Sequence, residues 1–279
     1  MYKKRFNLEE RTGDIRLIKL AIKNDSGIIK KEREGEEFTY LEFLEEYQVG
    51  DSIKVTIDKP ESYLMVQLDD ALAPSLIYVK GTEWKYEVPM EEKLRQAYSP
   101  KVFSGNKHYA WVRYASTEEI NAYQNLALNP HDQKQASGAY PHAEANVETR
   151  NDSTFFARNA IDGMVANEDH GSYPYQSWGI NQQKDAALTI EFGRIVEIDQ
   201  VAIVLRCDFP HDSYWTQATL EFSDGSEEIV VLDKVFDRQY FEIEKRKVEW
   251  VRFKDLIKAE DESPFPALTE LEIFGRNVH

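Results

Sequence analysis

The sequence predicts an all-β protein built from two β-sandwich domains, residues 1–118 and residues 119–279. Short apolar segments recur along the chain with turn-forming residues between them, and in segments such as Ile53–Ile57 apolar and polar residues alternate strictly. A chain of 279 residues is long for one small sandwich. It suits two domains of about 100 to 150 residues, each of which can bury its own core.

The first half contains regularly spaced strand signals and one short helix signal. Strands are expected at Ile15–Ile22, Ile53–Ile57, Tyr63–Leu68, Leu76–Val79, Trp84–Val88 and Ala110–Tyr114. The segment Met90–Tyr98 is rich in helix-forming residues and predicts a short helix. The stretch Lys30–Glu37 is dense in both charges, which is typical of a solvated loop or hairpin tip.

The second half begins with a polar stretch and continues with strands. A new segment begins at Asn125–Pro130, and the following residues 131–152 carry few β-branched side chains and predict irregular loop over a surface. Strands are then expected at Ala187–Phe192, Val201–Leu205, Ala218–Phe222, Glu227–Leu232, Val248–Phe253 and Leu268–Phe274. About eight short strands joined by turns predict a jelly-roll sandwich.

Charge and composition argue against several classes of partner. The formal net charge of -16 opposes binding to nucleic acid or to an anionic membrane, because both require clustered Lys and Arg. The short basic run Lys3–Arg5 is too small to reverse that balance, and no apolar h-region follows it. We therefore expect a soluble protein, cytoplasmic by default and secreted if an export signal has been removed. The single cysteine, Cys207, excludes an intrachain disulfide.

Three motifs in the second half occur in a characteristic order. The chain reads Ala-Arg-Asn-Ala-Ile-Asp-Gly over 157–163, places Trp178 after a polar loop, and ends with Glu-Leu-Glu-Ile-Phe-Gly over 270–275. Over residues 125–276 the chain resembles the discoidin, or coagulation factor 5/8 type C, domain and the related galactose-binding-like carbohydrate-binding modules. The resemblance implies a galactose-binding-like jelly roll that binds a ligand without transforming it.

The same resemblance implies a structural calcium ion. In this family the Asp of the Ala-Ile-Asp-Gly turn and a Glu of the last strand supply ligands, which correspond here to Asp162 and Glu270. Calcium takes six to eight hard oxygen ligands, so carboxylates beside a tight turn suit it. The family usually places Thr two residues before the Trp, and this chain has Gln176 there. Without a metal, Asp162 would simply cap the turn through its own backbone amides.

Two loops combine aromatic and charged residues in the way that sugar-binding sites do. Aromatic rings cover the C–H faces of a sugar, and fixed polar side chains meet its hydroxyl groups. After the strand Val201–Leu205, the candidate ligand-binding residues are Arg206, Asp208, His211, Asp212, Tyr214 and Trp215, with Tyr214 or Trp215 as the stacking platform. The loop before Trp178 adds His170, Tyr173 and Tyr175.

These observations favour a non-catalytic carbohydrate-binding protein that presents a glycan to a separate glycan-active enzyme. Two alternatives stay open. One is a protein–protein interaction module, and the other is a glycan hydrolase or lyase in which His170, Asp208, His211 and Asp212 form a metal site or an acid/base pair. No metal-binding, nucleophile-elbow or phosphate-loop motif supports catalysis, so we expect no enzyme activity.

Overall fold

The structure of the chain is a computed structural model that describes residues 16–209 and 211–278. The basic run Lys3–Arg5, the first residue of the predicted strand Ile15–Ile22, and Pro210 of the predicted ligand loop lie outside these residues. Almost all regular structure is antiparallel β-sheet, arranged as two sandwiches. The prediction of an all-β fold is therefore confirmed.

The N-terminal sandwich packs a four-stranded sheet on a five-stranded sheet. Its strands are β1 (Leu17–Lys23), β2 (Ile29–Glu36), β3 (Phe38–Phe43), β4 (Ser52–Ile57), β5 (Ser62–Gln67), β6 (Ser75–Val79), β7 (Glu83–Glu87), β8 (His108–Tyr114) and β10 (Ala139–Tyr140). The sheets run β2-β1-β4-β7 and β10-β6-β5-β8-β3. Successive side chains of a strand point to opposite faces, so alternate residues such as Leu64 and Val66 of β5 enter the core.

The charged segment Lys30–Glu37 is a strand and not the predicted loop or hairpin tip. It forms β2, which pairs along its length with β1 at the edge of the four-stranded sheet. Most of its side chains stay at least partly in water, and Lys31 reaches Glu42 of β3 at 2.7 Å. Charged residues are common on edge strands because they oppose pairing with other chains. A run of charged residues such as Lys30–Glu36 is therefore compatible with an edge strand.

The C-terminal sandwich is built around two very long strands. Its strands are β9 (Gln124–Asn125), β11 (His142–Ala145), β12 (Trp178–Gly179), β13 (Leu188–Leu205), β14 (Trp215–Phe222), β15 (Glu227–Val231), β16 (Gln239–Lys258) and β17 (Ala267–Asn277). The predicted strands Ala187–Phe192 and Val201–Leu205 are thus two halves of β13. The predicted strands Ala218–Phe222 and Glu227–Leu232 correspond to β14 and β15, which pair with each other as a hairpin.

Each long strand serves both layers of the sandwich. The first part of β13 pairs with β11 and the second part pairs with β17, while β16 accompanies β13 on both sides of a register shift between Glu191 and Val196. The shift contains Gly193, whose φ of +67° is costly for other residues. An irregularity of this kind bends a strand and lets it pass from one sheet to the other. The result is a jelly-roll sandwich in which β13 and β16 run through both layers.

The stretch 131–152 contains strands β10 and β11, so it is more regular than the predicted loop, and it joins the two sandwiches. Strand β10 pairs with β6 of the N-terminal sandwich. His131 is buried in the same sandwich, where its Nε2 accepts a hydrogen bond from the Leu68 amide at 3.3 Å and its Nδ1 lies 3.0 Å from Ser75 Oγ. The second half of the chain therefore contributes directly to the core of the first.

Helical structure is limited to short segments. The predicted helix Met90–Tyr98 is a single turn, α1 (Glu92–Arg95). A second short helix, α2 (Thr117–Asn121), begins with a capping box in which the Ser116 side chain accepts from the Glu119 amide and Glu119 accepts from the Ser116 amide. In the described part of the chain, no helix has the length and apolar character needed to cross a membrane.

Candidate functional site

A cavity of about 260 Å³ opens among the loops at one end of the C-terminal sandwich. The loops that form it precede β12, follow β12, follow β13 and precede β17. The residues whose side chains define its chemistry are Phe155, His170, Asn181, Arg206, His211 and Phe265. Three of them, His170, Arg206 and His211, belong to the site predicted from the sequence. The structure therefore brings the two predicted loops together at this cavity.

Arg206 is held at the cavity by a buried ion pair. Its Nε and Nη2 atoms each lie 2.6 Å from an oxygen of Asp212, and Nη2 also donates to the carbonyl oxygen of Phe265 at 2.6 Å. Burial lowers the pKa of the Arg206 guanidinium and raises the pKa of the Asp212 carboxyl, and the opposite charge of the partner counteracts each shift. Within the described residues Nη1 makes no hydrogen bond, so Arg206 retains donors for a ligand.

Three flat rings form a stack at the rim of the cavity. The rings of His170 and His211 are parallel within 5°, with centroids 4.2 Å apart, and the ring of Phe265 lies on His211 at 5.8 Å and 18°. Phe265 is 45% exposed. His170 Nδ1 lies 2.7 Å from Asp208 Oδ2, which positions the outer imidazole. An exposed aromatic ring and the fixed guanidinium of Arg206 thus line the same cavity.

The structure places the predicted stacking platforms away from the cavity. Trp215 is the first residue of β14 and is only 1% exposed, because its ring points into the core and packs edge-on against Phe253 at 5.8 Å. Tyr214 is partly buried and packs against Phe209. Neither ring is available to stack on a ligand in the cavity.

The predicted residues Tyr173 and Tyr175 also lie away from the cavity. After His170 the loop turns toward the N-terminal sandwich, and the Tyr173 amide donates to the carbonyl oxygen of Gln96 at 2.8 Å. The Tyr173 side chain lines a separate small cavity together with Ala71 and Gln176. Tyr175 is partly buried, and its amide donates within the loop to Ser172. This part of the loop bridges the two domains.

Sequence reasoning missed Phe265, Phe155 and Asn181. A signal for Phe265 was present, since the ring stands between Pro264 and Pro266 in the loop before the last strand, and two prolines restrict the backbone on both sides. Phe155 lies in a short 3-10 turn whose burial was not evident from the sequence. Asn181 follows β12 with a φ of +48° in a loop that no local pattern connects to the cavity.

Asp162 and Glu270 lie together, away from this cavity. Glu270 Oε1 accepts from the Gly163 amide at 3.1 Å, whereas Glu270 Oε2 is buried without a hydrogen bond in the described part of the chain. Asp162 accepts from the Met164 amide at 2.9 Å and from Gln176 Nε2 at 2.8 Å. Burial raises the pKa of Asp162, and burial together with the charge of Asp162 raises the pKa of Glu270 well above its usual value.

These two carboxyl groups fit a cation that prefers oxygen ligands. Besides Glu270 Oε2, the side-chain oxygen Oε1 of Gln176 is buried and has no hydrogen-bond partner among the described residues. Buried polar atoms normally have a partner, so two orphaned oxygens beside a pair of carboxylates are unusual. The Nη2 atom of the buried Arg158 lies 3.6 Å from Asp162, and the charge of Arg238 acts on Glu270, so each carboxyl group has a positive group nearby.

Comparison of the chain with protein-family models finds no match, and comparison with curated proteins finds none. Solved structures do match. A chitosan-binding module of a chitosanase/glucanase from Paenibacillus sp. IK-5 is 19% identical, with a TM-score of 0.37, and the match covers 54% of this chain and 98% of that module.

Two further solved structures are similar over about half of this chain. The family 32 carbohydrate-binding module from C. perfringens NanJ, solved in complex with galactose, is 17% identical with a TM-score of 0.36, covering 47% of this chain and 91% of the module. The fucose-binding module SpX-3 of Streptococcus pneumoniae is 19% identical with a TM-score of 0.37, covering 55% of this chain and 98% of the module.

Proposed function

We propose that the C-terminal sandwich binds a carbohydrate in the cavity at its loop end, without transforming it. The observation that carries this proposal is that the exposed ring of Phe265 and the fixed guanidinium of Arg206 line the same cavity, with Arg206 donating to the Phe265 carbonyl oxygen. A sugar has apolar C–H faces and hydroxyl edges. It is therefore bound well where a flat ring and immobilised hydrogen-bonding groups lie side by side.

The remaining groups of the cavity suit the hydroxyl groups of a sugar. His170 and His211 each retain Nε2 for a ligand, and Asn181 carries both a donor and an acceptor. A volume of about 260 Å³ is slightly below the roughly 300–1,000 Å³ of pockets for drug-sized ligands. We therefore expect recognition of a terminal sugar residue or a short segment, and not of a long chain lying in a groove.

The side chains in the cavity favour binding over glycoside hydrolysis. Hydrolysis usually needs two carboxyl groups that flank the scissile bond. Among the described residues that line the cavity, none is Asp or Glu. Asp212 pairs with Arg206, and Asp208 lies 2.7 Å from His170 Nδ1; neither lines the cavity. This arrangement supports a role in which the protein holds a glycan for a separate enzyme.

Titration calorimetry against a panel of sugars tests the proposal. The panel includes galactose, fucose and chitosan oligosaccharides, following a first screen on a glycan array. Phe265→Ala removes an exposed ring, so the variant should fold normally and bind the selected sugar at least tenfold more weakly, which corresponds to about 1.4 kcal/mol.

Two further variants make the test specific. Tyr240→Ala removes a similarly exposed ring of the same domain outside the cavity and should bind like wild type. Arg206→Lys keeps a positive charge beside Asp212 but loses the planar donor set, and it should weaken binding. The proposal fails if wild type binds no sugar of the array, or if Phe265→Ala binds as tightly as wild type.

We also propose that Asp162 and Glu270 hold a structural calcium ion. The support is that one oxygen of this carboxyl pair, Glu270 Oε2, and the adjacent side-chain oxygen Gln176 Oε1 are buried without a hydrogen bond among the described residues. A bound calcium ion would neutralise both carboxylates and tie the turn at Gly163 to strand β17. Without the ion, the described residues that compensate the two carboxyl groups include backbone amides, Gln176 and Arg158, and the positive charge of Arg238 also acts on Glu270.

A further inference from the structure

A second group of metal-type ligand atoms lies at the rim of the cavity, separate from Asp162 and Glu270. It consists of one ligand atom from each of His170, Asp208, His211 and Asp212, and these four atoms all lie within 4.8 Å of one another. His170 Nδ1 is 2.7 Å from Asp208 Oδ2, and His211 Nδ1 is 3.7 Å from the same oxygen and 3.1 Å from Asp212 Oδ1.

Two imidazole nitrogens and two carboxylates converge at this point. His170 Nδ1 is within hydrogen-bond distance of Asp208 and His211 Nδ1 is within hydrogen-bond distance of Asp212, and neutral imidazole nitrogens and carboxylates together form a set of metal ligands. The local charge also favours a cation. Asp169 lies 3.5 Å from His170 Nδ1, which makes three carboxylates around the cluster, and Arg206 is the cation paired within it.

We infer that His170, His211, Asp208 and Asp212 bind a zinc ion that joins the loop before β12 to the loop after β13. Two nitrogen and two carboxylate ligands suit zinc, and imidazole nitrogens are poor ligands for calcium. Zinc ligands at about 2.0–2.2 Å lie about 3.3 Å apart in a tetrahedron. Three of the six separations among the four ligand atoms, 2.7, 3.1 and 3.7 Å, bracket this value, and the others are no longer than 4.8 Å.

The surroundings of the four residues allow this geometry. A metal lies in the plane of each imidazole that binds it, so the parallel rings of His170 and His211 must tilt apart, and both side chains are exposed enough to do so. Arg206 holds the Asp212 carboxylate in place, as outer partners commonly hold metal ligands. With zinc on Nδ1, both histidines would keep their proton on Nε2 and become fixed hydrogen-bond donors at the rim of the cavity.

Calorimetric titration of the full chain with zinc chloride in a non-chelating buffer tests this inference. We expect one zinc ion per chain, with binding that persists in excess calcium chloride. Asp208→Asn keeps the shape of the side chain but loses the charge, and His170→Ala and His211→Ala each remove a nitrogen ligand. Each change should weaken zinc binding by more than the about 10- to 100-fold that is typical for loss of an outer partner.

A matched control is Asp255→Asn, which removes an exposed carboxylate that does not belong to the cluster and should leave zinc affinity unchanged. Circular dichroism establishes that each variant is folded. The inference is overturned if wild type binds no zinc, if calcium displaces the zinc, or if His170→Ala and His211→Ala both bind zinc like wild type. The titration contains no sugar, so its outcome is independent of carbohydrate binding.

Discussion

Trp215 and Phe265 are both aromatic residues near the loop end of the C-terminal sandwich, yet only one of them can contact a ligand. Trp215 begins strand β14, and the alternation of that strand directs its ring into the core. Phe265 lies between two prolines in a loop and is 45% exposed. Whether an aromatic ring can contact a ligand therefore depends on where the strand begins. If that boundary moved by a few residues, a ring that now points into the core could point to the surface instead.

Gly275 ends the last motif of the chain for a steric reason that belongs to a single residue. A Cβ at this position would overlap the backbone oxygen of Glu197 and lie 2.8 Å from the Cα of Ile198, because β13 and β17 pass close together. Backbone atoms cannot move aside as a flexible side chain can. We expect Gly275→Ala to lower the free energy of unfolding by about 1–3 kcal/mol, measured by urea denaturation.

The control for this substitution is Gly81→Ala. A Cβ at Gly81 would have no neighbour closer than 4.0 Å. The free energy of unfolding of the Gly81→Ala protein should therefore stay within about 0.5 kcal/mol of the wild-type value. Equal stability of the Gly275→Ala and Gly81→Ala proteins would contradict the steric explanation.

Among the elements, the loops at the cavity are ordered by a few buried contacts. The loop after β13 is held by the Arg206–Asp212 pair, and the same guanidinium holds the loop before β17 through the Phe265 carbonyl. Removal of one member of a buried pair typically costs about 3–5 kcal/mol because the other charge is left uncompensated. For this reason Arg206→Ala would confuse loss of a ligand contact with loss of loop structure, and Arg206→Lys is the better variant.

The turn at 157–163 and strand β17 form the element pair that calcium is proposed to join. Calcium at about a hundredfold above its dissociation constant would stabilise the folded state by about 2.7 kcal/mol. For a domain of this size that corresponds to roughly 5–10 °C in melting temperature. We therefore expect a chelator to lower the melting temperature by this amount, as measured by calorimetry.

Glu270→Gln provides the comparison for the chelation experiment. The substitution removes one of the two buried carboxylates, so the melting temperature of the variant should not respond to chelator or to added calcium. A wild-type melting temperature that is the same with and without chelator would refute the calcium proposal while leaving the sugar site untested by this measurement.

At the scale of the whole molecule, His131 joins the two halves and makes stability depend on pH. Complete burial lowers the pKa of His131 to about 3, whereas the pKa in the unfolded chain is about 6.5. As pH falls below about 6.5 the unfolded state takes up a proton that the folded state does not bind. Folding is therefore destabilised progressively between about pH 6.5 and pH 3.

From about pH 7 to pH 5, protonation of His131 in the unfolded chain lowers the free energy of unfolding by about 2 kcal/mol. Urea unfolding at both pH values should show that His131→Asn loses this part of the pH dependence. His142 has a raised pKa next to Asp132, which acts in the opposite direction, but it is present in both proteins and cancels in the comparison. Identical pH dependence of wild type and variant would argue against a neutral buried His131.

Local pattern was enough to predict the all-β class, most strands of both sandwiches and the loop that contains Arg206 and His211. It failed where local pattern was ambiguous. The charges of Lys30–Glu37 are compatible with a loop or an edge strand, and two strand signals separated by Gly193 are compatible with two strands or one bent strand. In both cases pairing with a neighbouring strand decides which of the two structures forms. The position of that neighbour is not encoded in the local sequence.

The sequence by itself determined the fold class, the order of the motifs and the residue types available for binding, because side-chain periodicity and turn chemistry act over a few neighbouring residues. Only the tertiary structure decided which residues meet. It placed Phe265 beside Arg206 across 59 positions, His170 beside Asp208 across 38, and Trp215 in the core. Contacts between such distant positions depend on how strands pair and how loops pack over them, and many sequences with the same local pattern would arrange those contacts differently.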